Sequence, residues 1–291
     1  LPRRHPQRAA PRLGGGDHRA PARAAEPVTS DAAMSLAEAL VLEREGMAIE
    51  GEGVTLTGRV VPGFDVFGIP HGGYLLAMAG QAALTASSEP DIFSITLHLL
   101  KKAQHGPITW SLREVARSRR MVSLAIEGRQ DETVIAGLAL VGDRTGIAGE
   151  RYERRAPPEV EGRAQEAGPA ISQKLGLVIA EDSLGFATGE LRGEGVMHAR
   201  VDPPGHVTDQ LLALVACDIA PPAIWNALGT SGWVPTVEIT AHVRARPAQG
   251  PLRVRALTRS VSGGFLEEDA EVYDREGTLI ALSRQLARWR S

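Results

Sequence analysis

The pattern of polar and apolar positions predicts the same order of strands and helices twice, and therefore two copies of one module. In the first copy, alternation from about Val54 predicts a strand, and the run 74–87, rich in Leu, Ala and Met and free of Pro, predicts a helix. Four further strand-like runs lie near 92–103, 107–117, 120–129 and 133–142. Short turn signals separate these runs, so we expect an antiparallel meander.

The second copy returns in the same order. Strand-like stretches near 183–191 and 194–202 precede a helix expected from about 208 to 219. Four more strand-like runs follow near 236–246, 250–261, 265–274 and 278–290, with a tight hairpin expected at 274–277. This order predicts an α+β fold in which each half wraps an antiparallel sheet around a central helix.

A short motif supports the duplication directly. The motif reads Ile95-Thr96-Leu97-His98 with Gly106-Pro107 in the first copy, and Ile239-Thr240-Ala241-His242 with Gly250-Pro251 in the second. Corresponding members are 144 residues apart throughout. We therefore treat the two halves as copies, and a difference between them as a clue to chemistry.

Composition divides the chain into four segments. Residues 1–33 carry six Arg against three acids and five Pro, without an apolar period, which indicates disorder. We expect the natural start at Met34, with this leader a translation artefact; an Arg-rich transit peptide is the alternative. An N-terminal module would then occupy 34–147, a linker rich in Gly and Pro 148–170, and a C-terminal module 171–291.

Charge and composition narrow the function. A net charge of -3 and an aromatic content of 4% argue against a nucleic-acid partner. No apolar run approaches the roughly 18 residues of a membrane span. The lone Cys217 excludes an intrachain disulfide and a thiolate metal cluster, and it fits a reducing compartment such as the cytoplasm.

Four short motifs follow one another along the duplicated chain. They are His71-Gly72-Gly73-Tyr74, Cys217-Asp218, Pro235-Thr236 and Ala281-Leu282-Ser283-Arg284-Gln285. Together, from about Met34 onward, they resemble the double-hotdog acyl-CoA thioesterases of the TesB-like, type II group. The resemblance implies two tandem hotdog modules and hydrolysis of acyl-CoA to fatty acid and CoA. It implies a role in fatty acid metabolism, and no cofactor or metal.

The resemblance also implies the catalytic set. In that family an Asp, a Thr or Ser, and a Gln hold the attacking water, and these map onto Asp218, Thr236 and Gln285. Thr240 competes with Thr236 for the hydroxyl role. Aligning the two copies places Gln285 opposite Leu140, so the first half lacks this set. We expect one composite site in which the second half supplies the base.

The start of the first helix is the expected substrate-binding segment. It consists of His71, Gly72, Gly73 and Tyr74. The N–H groups of the two glycines, unpaired at a helix N-terminus, would polarise the thioester carbonyl. Lone histidines are more often structural than catalytic, so His71 has both interpretations.

Several residues have simpler structural interpretations. Asp218 could simply cap or terminate its helix, Thr236 could be only a β-former, and Gln285 could be an ordinary strand residue. Cys217 is expected to be a small buried hydrophobe. The acidic run 267–269 is expected to be a solvated strand edge. The arginines at 117, 119 and 120 either meet the phosphates of CoA or line a solvated turn.

Two other functions stay open at this point. One is a catalytically silent acyl-CoA-binding hotdog protein, which would keep the pocket and lose the water site. The other is a hotdog enoyl-CoA hydratase or dehydratase, which would need an Asp and a His close together at the active helix. Acyl chain length is not predicted, and exposed sheet edges leave homo-oligomers open.

Overall fold

A computed structural model describes residues 34–45, 53–147, 149–150, 152–153, 156–162, 168–205, 207–230 and 232–289. The leader at 1–33 lies outside the described residues, as does part of the 148–170 linker. The boundaries 34–147 and 171–291 remain our proposed division of the chain.

The first half contains one long helix followed by four long strands. Its helices are α1 (Leu36–Ala39) and α2 (Gly72–Ser87). Its strands are β1 (Glu43–Arg44), β2 (Val54–Val60), β3 (Asp65–Val66), β4 (Ile69–Pro70), β5 (Asp91–Leu99), β6 (Gly106–Arg117), β7 (Met121–Arg129) and β8 (Thr133–Gly142). The strand and helix predictions for this half are confirmed to within a few residues.

The second half repeats the layout with a shorter central helix. Its helices are α3 (Ala170–Lys174), α4 (Gly185–Thr188), α5 (Gln210–Ala216) and α6 (Trp225–Leu228). Its strands are β9 (Val178–Ile179), β10 (Val196–Val201), β11 (Thr236–Val243), β12 (Leu252–Leu257), β13 (Val261–Ser262), β14 (Phe265–Tyr273) and β15 (Leu279–Arg288). The hairpin at 274–277 is confirmed, with Gly277 at φ 85°.

The strand predicted at 183–191 is wrong. The segment forms part of a short 3₁₀ helix (Glu181–Ser183) and then α4. A strand here would need a free edge of β10, but β9 and β12 occupy both edges. Phe186 instead packs against Trp225, with ring centroids 5.6 Å apart. Packing on α6 therefore overrides the local alternation of apolar residues.

The long strands of both halves form one antiparallel sheet. The first half contributes β2-β6-β7-β8-β5 and the second β11-β15-β14-β12-β10, and β5 pairs with β11 at the joint. Thr96 lies directly opposite Thr240 there, and their hydroxyls share a hydrogen bond of 2.9 Å. The repeated sequence motif thus lies where the two copies meet.

The central helices α2 and α5 pack against each other inside the curved sheet. Gly80 allows this close packing, because a Cβ at that position would lie 2.7 Å from a methyl carbon of Leu214. One large hydrophobic core runs through both halves, and two small clusters lie beside it in the described residues. The expected α+β layout, with one central helix per half, is confirmed. It also brings the N-terminal end of α2 against the C-terminal end of α5.

Candidate active site

A cavity of about 950 Å³ is lined by residues from both halves. Apolar side chains form much of its wall, including Leu75 and Leu99 from the first half and Leu266 from the second. The polar residues that line it include His71, Asp218, Thr236, Glu268 and Gln285. Apolar walls with a few convergent polar groups are typical of a small-molecule site.

The start of α2 forms one end of this cavity. His71 caps the helix, and its Nδ1 accepts a hydrogen bond of 3.1 Å from the N–H of Gly73. A Cβ at Gly72 would lie 2.6 Å from Oδ2 of Asp218, and a Cβ at Gly73 would lie 2.6 Å from the carbonyl oxygen of Val215. A side chain at Gly73 would therefore clash with the backbone of the second half, and one at Gly72 would displace the Asp218 carboxylate.

Asp218 follows α5 and faces the start of α2. Its Oδ2 accepts a hydrogen bond of 2.8 Å from the N–H of Gly73 and lies 3.7 Å from Nε2 of His71. The side chain is only 9% exposed. A carboxylate is unfavourable at the end of its own helix, but the positive dipole end of α2 offsets this. Oδ1 makes no hydrogen bond within the described residues, so it is available to a ligand.

The N–H of Gly73 is not free, contrary to the expectation that both glycines would polarise a carbonyl. It donates to Asp218 and to His71. The N–H of Gly72 has no partner in the described part of the chain, and Gly72 lines the cavity. One backbone donor, rather than two, is therefore open to a substrate at this helix end.

Tyr74 does not reach the cavity. Its ring is fully buried and stacks on Phe64, with centroids 4.9 Å apart. Its hydroxyl donates to the carbonyl oxygen of Ala39 at 3.1 Å. Burial raises the pKa of Tyr74 to about 12. The structure thus places Tyr74 in the core and away from the cavity wall, which does not support the predicted substrate contact.

Thr236 and Gln285 meet across neighbouring strands. The Thr236 hydroxyl donates to Oε1 of Gln285 at 2.7 Å, and both residues line the cavity. Thr240, the competing hydroxyl, lies at the β5–β11 joint and donates to Oε1 of Glu238 at 2.7 Å. It is not among the residues described in the cavity wall. The geometry favours Thr236.

Glu268 is a second carboxyl group in the cavity wall, and the sequence interpretation of it as a solvated edge residue is wrong. The residue is 5% exposed. Its Oε1 accepts from Nε2 of Gln285 at 3.3 Å, and its Oε2 accepts from the N–H of Ala223 at 2.6 Å. Burial raises the pKa of Glu268 to about 7, and the negative charge of Asp218 adds to the rise.

The period-two pattern of β14 carried the signal for Glu268. Ala270 and Val272 face the core, and Glu268 shares their phase. Asp269, in the opposite phase, pairs with Arg284 on the outer face. The run of three acids concealed an alternation that places one of them inside.

Two other candidate residues, Cys217 and Arg117, are not among those that line the cavity. Cys217 is buried, and burial raises the pKa of its thiol to about 12, which argues against a thiolate nucleophile. Arg117 pairs with Glu114 and Glu89, and it is not among the residues that line the cavity. The basic residues that do line it are Lys101, Lys102 and Arg288.

Among the described residues, no group of three or more His, Cys, Asp or Glu is arranged to hold a metal ion. None of the helices in these ranges is long and apolar enough to cross a membrane.

Solved structures with a similar fold include proteins described as thioesterases. A candidate thioesterase II from Thermobifida fusca is 26% identical, with a TM-score of 0.78 over 88% of this chain and 97% of that chain. A hotdog-fold protein of unknown function from Alicyclobacillus acidocaldarius is 18% identical, with a TM-score of 0.73 over 88% and 98% of the two chains. These similarities confirm the hotdog fold.

Curated relatives match a shorter stretch. An uncharacterized protein of Mycobacterium tuberculosis is 40% identical over 85 residues. That stretch is 29% of this chain and 29% of the relative's own length. An uncharacterized protein of Mycobacterium bovis matches to the same extent.

Family profiles match both halves. The profile of the acyl-CoA thioesterase N-terminal domain matches residues 61–142, and that of the acyl-CoA thioesterase C-terminal domain matches residues 152–288. The two profiles occur in the order of the two modules and together cover most of the chain. The chain therefore belongs to the acyl-CoA thioesterase family, a family of thioester hydrolases.

Proposed function

We propose that this chain hydrolyses acyl-CoA to a free fatty acid and CoA by direct attack of a water molecule held by Asp218, Thr236 and Gln285. The observation that carries the proposal is that these side chains, from three separate elements, line one largely apolar cavity. The acyl chain would lie against the apolar wall, because that wall adjoins the polar end where the thioester must be placed.

Asp218 acts as the base in this mechanism. Its free Oδ1 accepts a proton from water, while the N–H of Gly73 holds Oδ2 in place. A positioned general base contributes about 10²–10⁴-fold to rate. Thr236 donates to Gln285, so a lone pair of its hydroxyl can accept from the water. The second N–H of the Gln285 amide donates to the water oxygen and orients it.

The thioester carbonyl is polarised at the start of α2. The free N–H of Gly72 and the positive dipole end of the helix stabilise the oxyanion that forms when water adds. The C–S bond then breaks, and the CoA thiolate leaves and takes up a proton. Lys101, Lys102 and Arg288 supply positive charge along the cavity for the phosphates of CoA.

A thiol-release assay with acyl-CoAs of graded chain length tests this proposal. We expect hydrolysis by the wild type and a loss of about 10²–10⁴-fold in kcat for Asp218→Asn. Asp269→Asn is the matched control, since Asp269 lies on the outer face and is expected to leave kcat unchanged. Unchanged kcat in Asp218→Asn would remove the base from the mechanism. Acyl-CoA binding without thiol release would support the silent binding protein instead.

One contact favours enoyl-CoA hydration as a second candidate. His71 and Asp218 approach to 3.7 Å across the two halves, so an Asp and a His are close together at the active helix. However, Nδ1 of His71 accepts from Gly73, which assigns the residue to helix capping. Enoyl-CoA supplied in the same assay, with absorbance of the conjugated double bond as the readout, distinguishes the two reactions.

The cellular setting is part of the same proposal. A single cysteine, buried as a thiol, fits a reducing compartment, and we infer a cytoplasmic role in fatty acid metabolism. Acyl-CoA is the proposed partner, and the strands at the ends of the sheet, β1 and β9, are the proposed contact if the chain forms homo-oligomers.

A further inference from the structure

Glu268 is a buried titratable group in the cavity wall to which the proposed mechanism gives no role. It lies on the inner face of β14, directly opposite Gln285 on β15. Its Oε2 accepts from two donors, the N–H of Ala223 at 2.6 Å and the hydroxyl of Thr258 at 3.2 Å. Oε1 accepts from Nε2 of Gln285. All the partners that the structure gives to this carboxyl group are donors.

These contacts determine the orientation of the Gln285 amide. With Glu268 ionised, Nε2 of Gln285 must face the carboxylate, because only the NH₂ group can donate to it. Oε1 then faces Thr236 and accepts its hydroxyl proton, as observed at 2.7 Å. Thr236 is thereby left with lone pairs for the water. The charge on Glu268 therefore determines the direction of two hydrogen bonds, the one between Gln285 and Glu268 and the one between Thr236 and Gln285.

A proton on Glu268 reverses this order. Oε2 stays an acceptor for Ala223 and Thr258, so the proton resides on Oε1 and is donated to Gln285. The amide must then turn its oxygen toward Glu268 and its NH₂ group toward Thr236. Thr236 becomes an acceptor there, and its hydroxyl proton points toward the water position that the base needs. The water-holding arrangement is lost without any change of fold.

We propose that Glu268, in its ionised form, is a positioning residue that holds the Gln285 amide in the orientation required for water attack. The inference rests on the proposed hydrolysis at Asp218. It adds a requirement for a second, neighbouring carboxylate that never touches the substrate's reacting atoms.

Few charged groups surround Glu268. Asp218, from the end of α5, faces it across the cavity and opposes its ionisation, and Arg288 on β15 also lines the cavity. Neighbouring acids on β14 point to the outer face, where Asp269 pairs with Arg284. The raised pKa of about 7 places the change of state near neutrality. Activity is therefore expected to rise through pH 7 to a plateau.

Glu268→Gln tests the inference with little change in shape. The oxygen of the new amide can keep the contacts to Ala223 and Thr258, so its NH₂ group faces Gln285 and imposes the reversed orientation at every pH. We expect kcat for acyl-CoA hydrolysis to fall by roughly 10²-fold, with KM nearly unchanged and the limb at pH 6–8 absent. Glu267→Gln, on the outer face of the same strand, is the matched control and keeps the wild-type profile.

A second readout does not depend on turnover. The side-chain amide resonances of Gln285, assigned by their absence in Gln285→Ala, are followed by ¹H–¹⁵N NMR from pH 5 to 9. They should titrate near pH 7 in the wild type and in Glu267→Gln, and stay constant in Glu268→Gln.

The outcomes separate the inference from the proposed function. A Glu268→Gln enzyme with wild-type kcat and pH profile, or a Gln285 amide insensitive to pH in the wild type, overturns the role of Glu268 while hydrolysis stands. If the wild type releases no thiol from acyl-CoA, the proposed function fails, and the NMR titration alone decides whether Glu268 sets the amide orientation.

Discussion

The two halves have corresponding strands, but the side chains on the inner faces of those strands differ. In the second half Ile239 lies opposite Gln285, and in the first half the equivalent Ile95 lies opposite Ala139. Ala139 is buried and cannot hold a water molecule. The counterpart of the proposed water-orienting amide is therefore a methyl group in the core.

The same register relates the other polar residues of the cavity to apolar or small ones. The helix caps His71 and Asp209 align α2 with α5. The four pairs, second half first, are Asp218 and Gly80, Thr236 and Ile92, Glu268 and Leu124, and Gln285 and Ala139. The first half thus carries none of the proposed water-holding set.

The starts of the two central helices also differ, but here the first half has the open position. Where α2 begins with Gly72, α5 begins with Gln210, whose side chain accepts from the N–H of Ile92 at 2.9 Å and donates to the carbonyl oxygen of Pro90 at 2.8 Å. Asp209 also caps two N–H groups of its own helix. The end that is open at α2 is filled at α5, which supports the proposal of one site per chain.

Gly72→Ala is expected to have the largest effect on kcat, because it adds a side chain at the helix start that is open in the first half. The new Cβ would lie 2.6 Å from Oδ2 of Asp218, so the carboxylate must move from its place beside the helix start. A misplacement of about 1 Å costs about 10²-fold in rate, and we expect a kcat loss of that size. Gly149→Ala, at an exposed position with no neighbour within 4 Å of the added Cβ, is the control. Equal kcat in both variants would contradict the role of this contact.

Glu268 has Leu124 as its counterpart in the first half. Its buried carboxyl group is predicted to make the free energy of unfolding depend on pH. The pKa of Glu268 is raised from 4.5 to about 7, so the folded state binds more protons than the unfolded state between these values. The free energy of unfolding therefore declines as pH rises from 4.5 to 7, by at most about 3 kcal/mol. Urea unfolding across this range should show the decline in the wild type and a smaller one in Glu268→Gln. Parallel curves would argue against the buried carboxyl.

The two threonines give the smallest predicted effect. Thr236→Val removes a hydroxyl that bonds Gln285 in the cavity, whereas Thr240→Val removes one at the joint between the halves. A hydrogen bond of about 1–1.5 kcal/mol corresponds to roughly tenfold in kcat for the first variant, and the second should remain within about twofold of the wild type. The reverse order would exchange the two residues in the mechanism.

Much of this arrangement could be predicted from the sequence. Apart from the strand predicted at 183–191, the order of strands and helices follows from periodicity. The inequality of the halves follows from the repeated motif together with the catalytic set that the family resemblance implies. The alignment that placed Leu140 opposite Gln285 is off by one residue, since the sheet register selects Ala139. A shift of one residue reverses the face of a strand, and only pairing determines it.

Contacts between the halves could not be predicted from the sequence. The hydrogen bond from Gly73 to Asp218 joins residues 145 positions apart, and its distance depends on how α2 meets α5. Glu268 illustrates a different limit. Its phase on β14 was readable, but three successive acids are more often solvated, and only burial in the folded sheet shows that one of them faces the cavity.

The number of sites per chain is the most direct test of the claim that only the second half carries a water-activating site. A non-hydrolysable thioether analogue of an acyl-CoA, titrated into the wild-type protein by calorimetry, should bind with a stoichiometry of one per chain. Asp218→Asn should keep that stoichiometry while losing thiol release from the true substrate. Two equivalent sites per chain, or full activity in Asp218→Asn, would contradict a single water-activating centre in the second half.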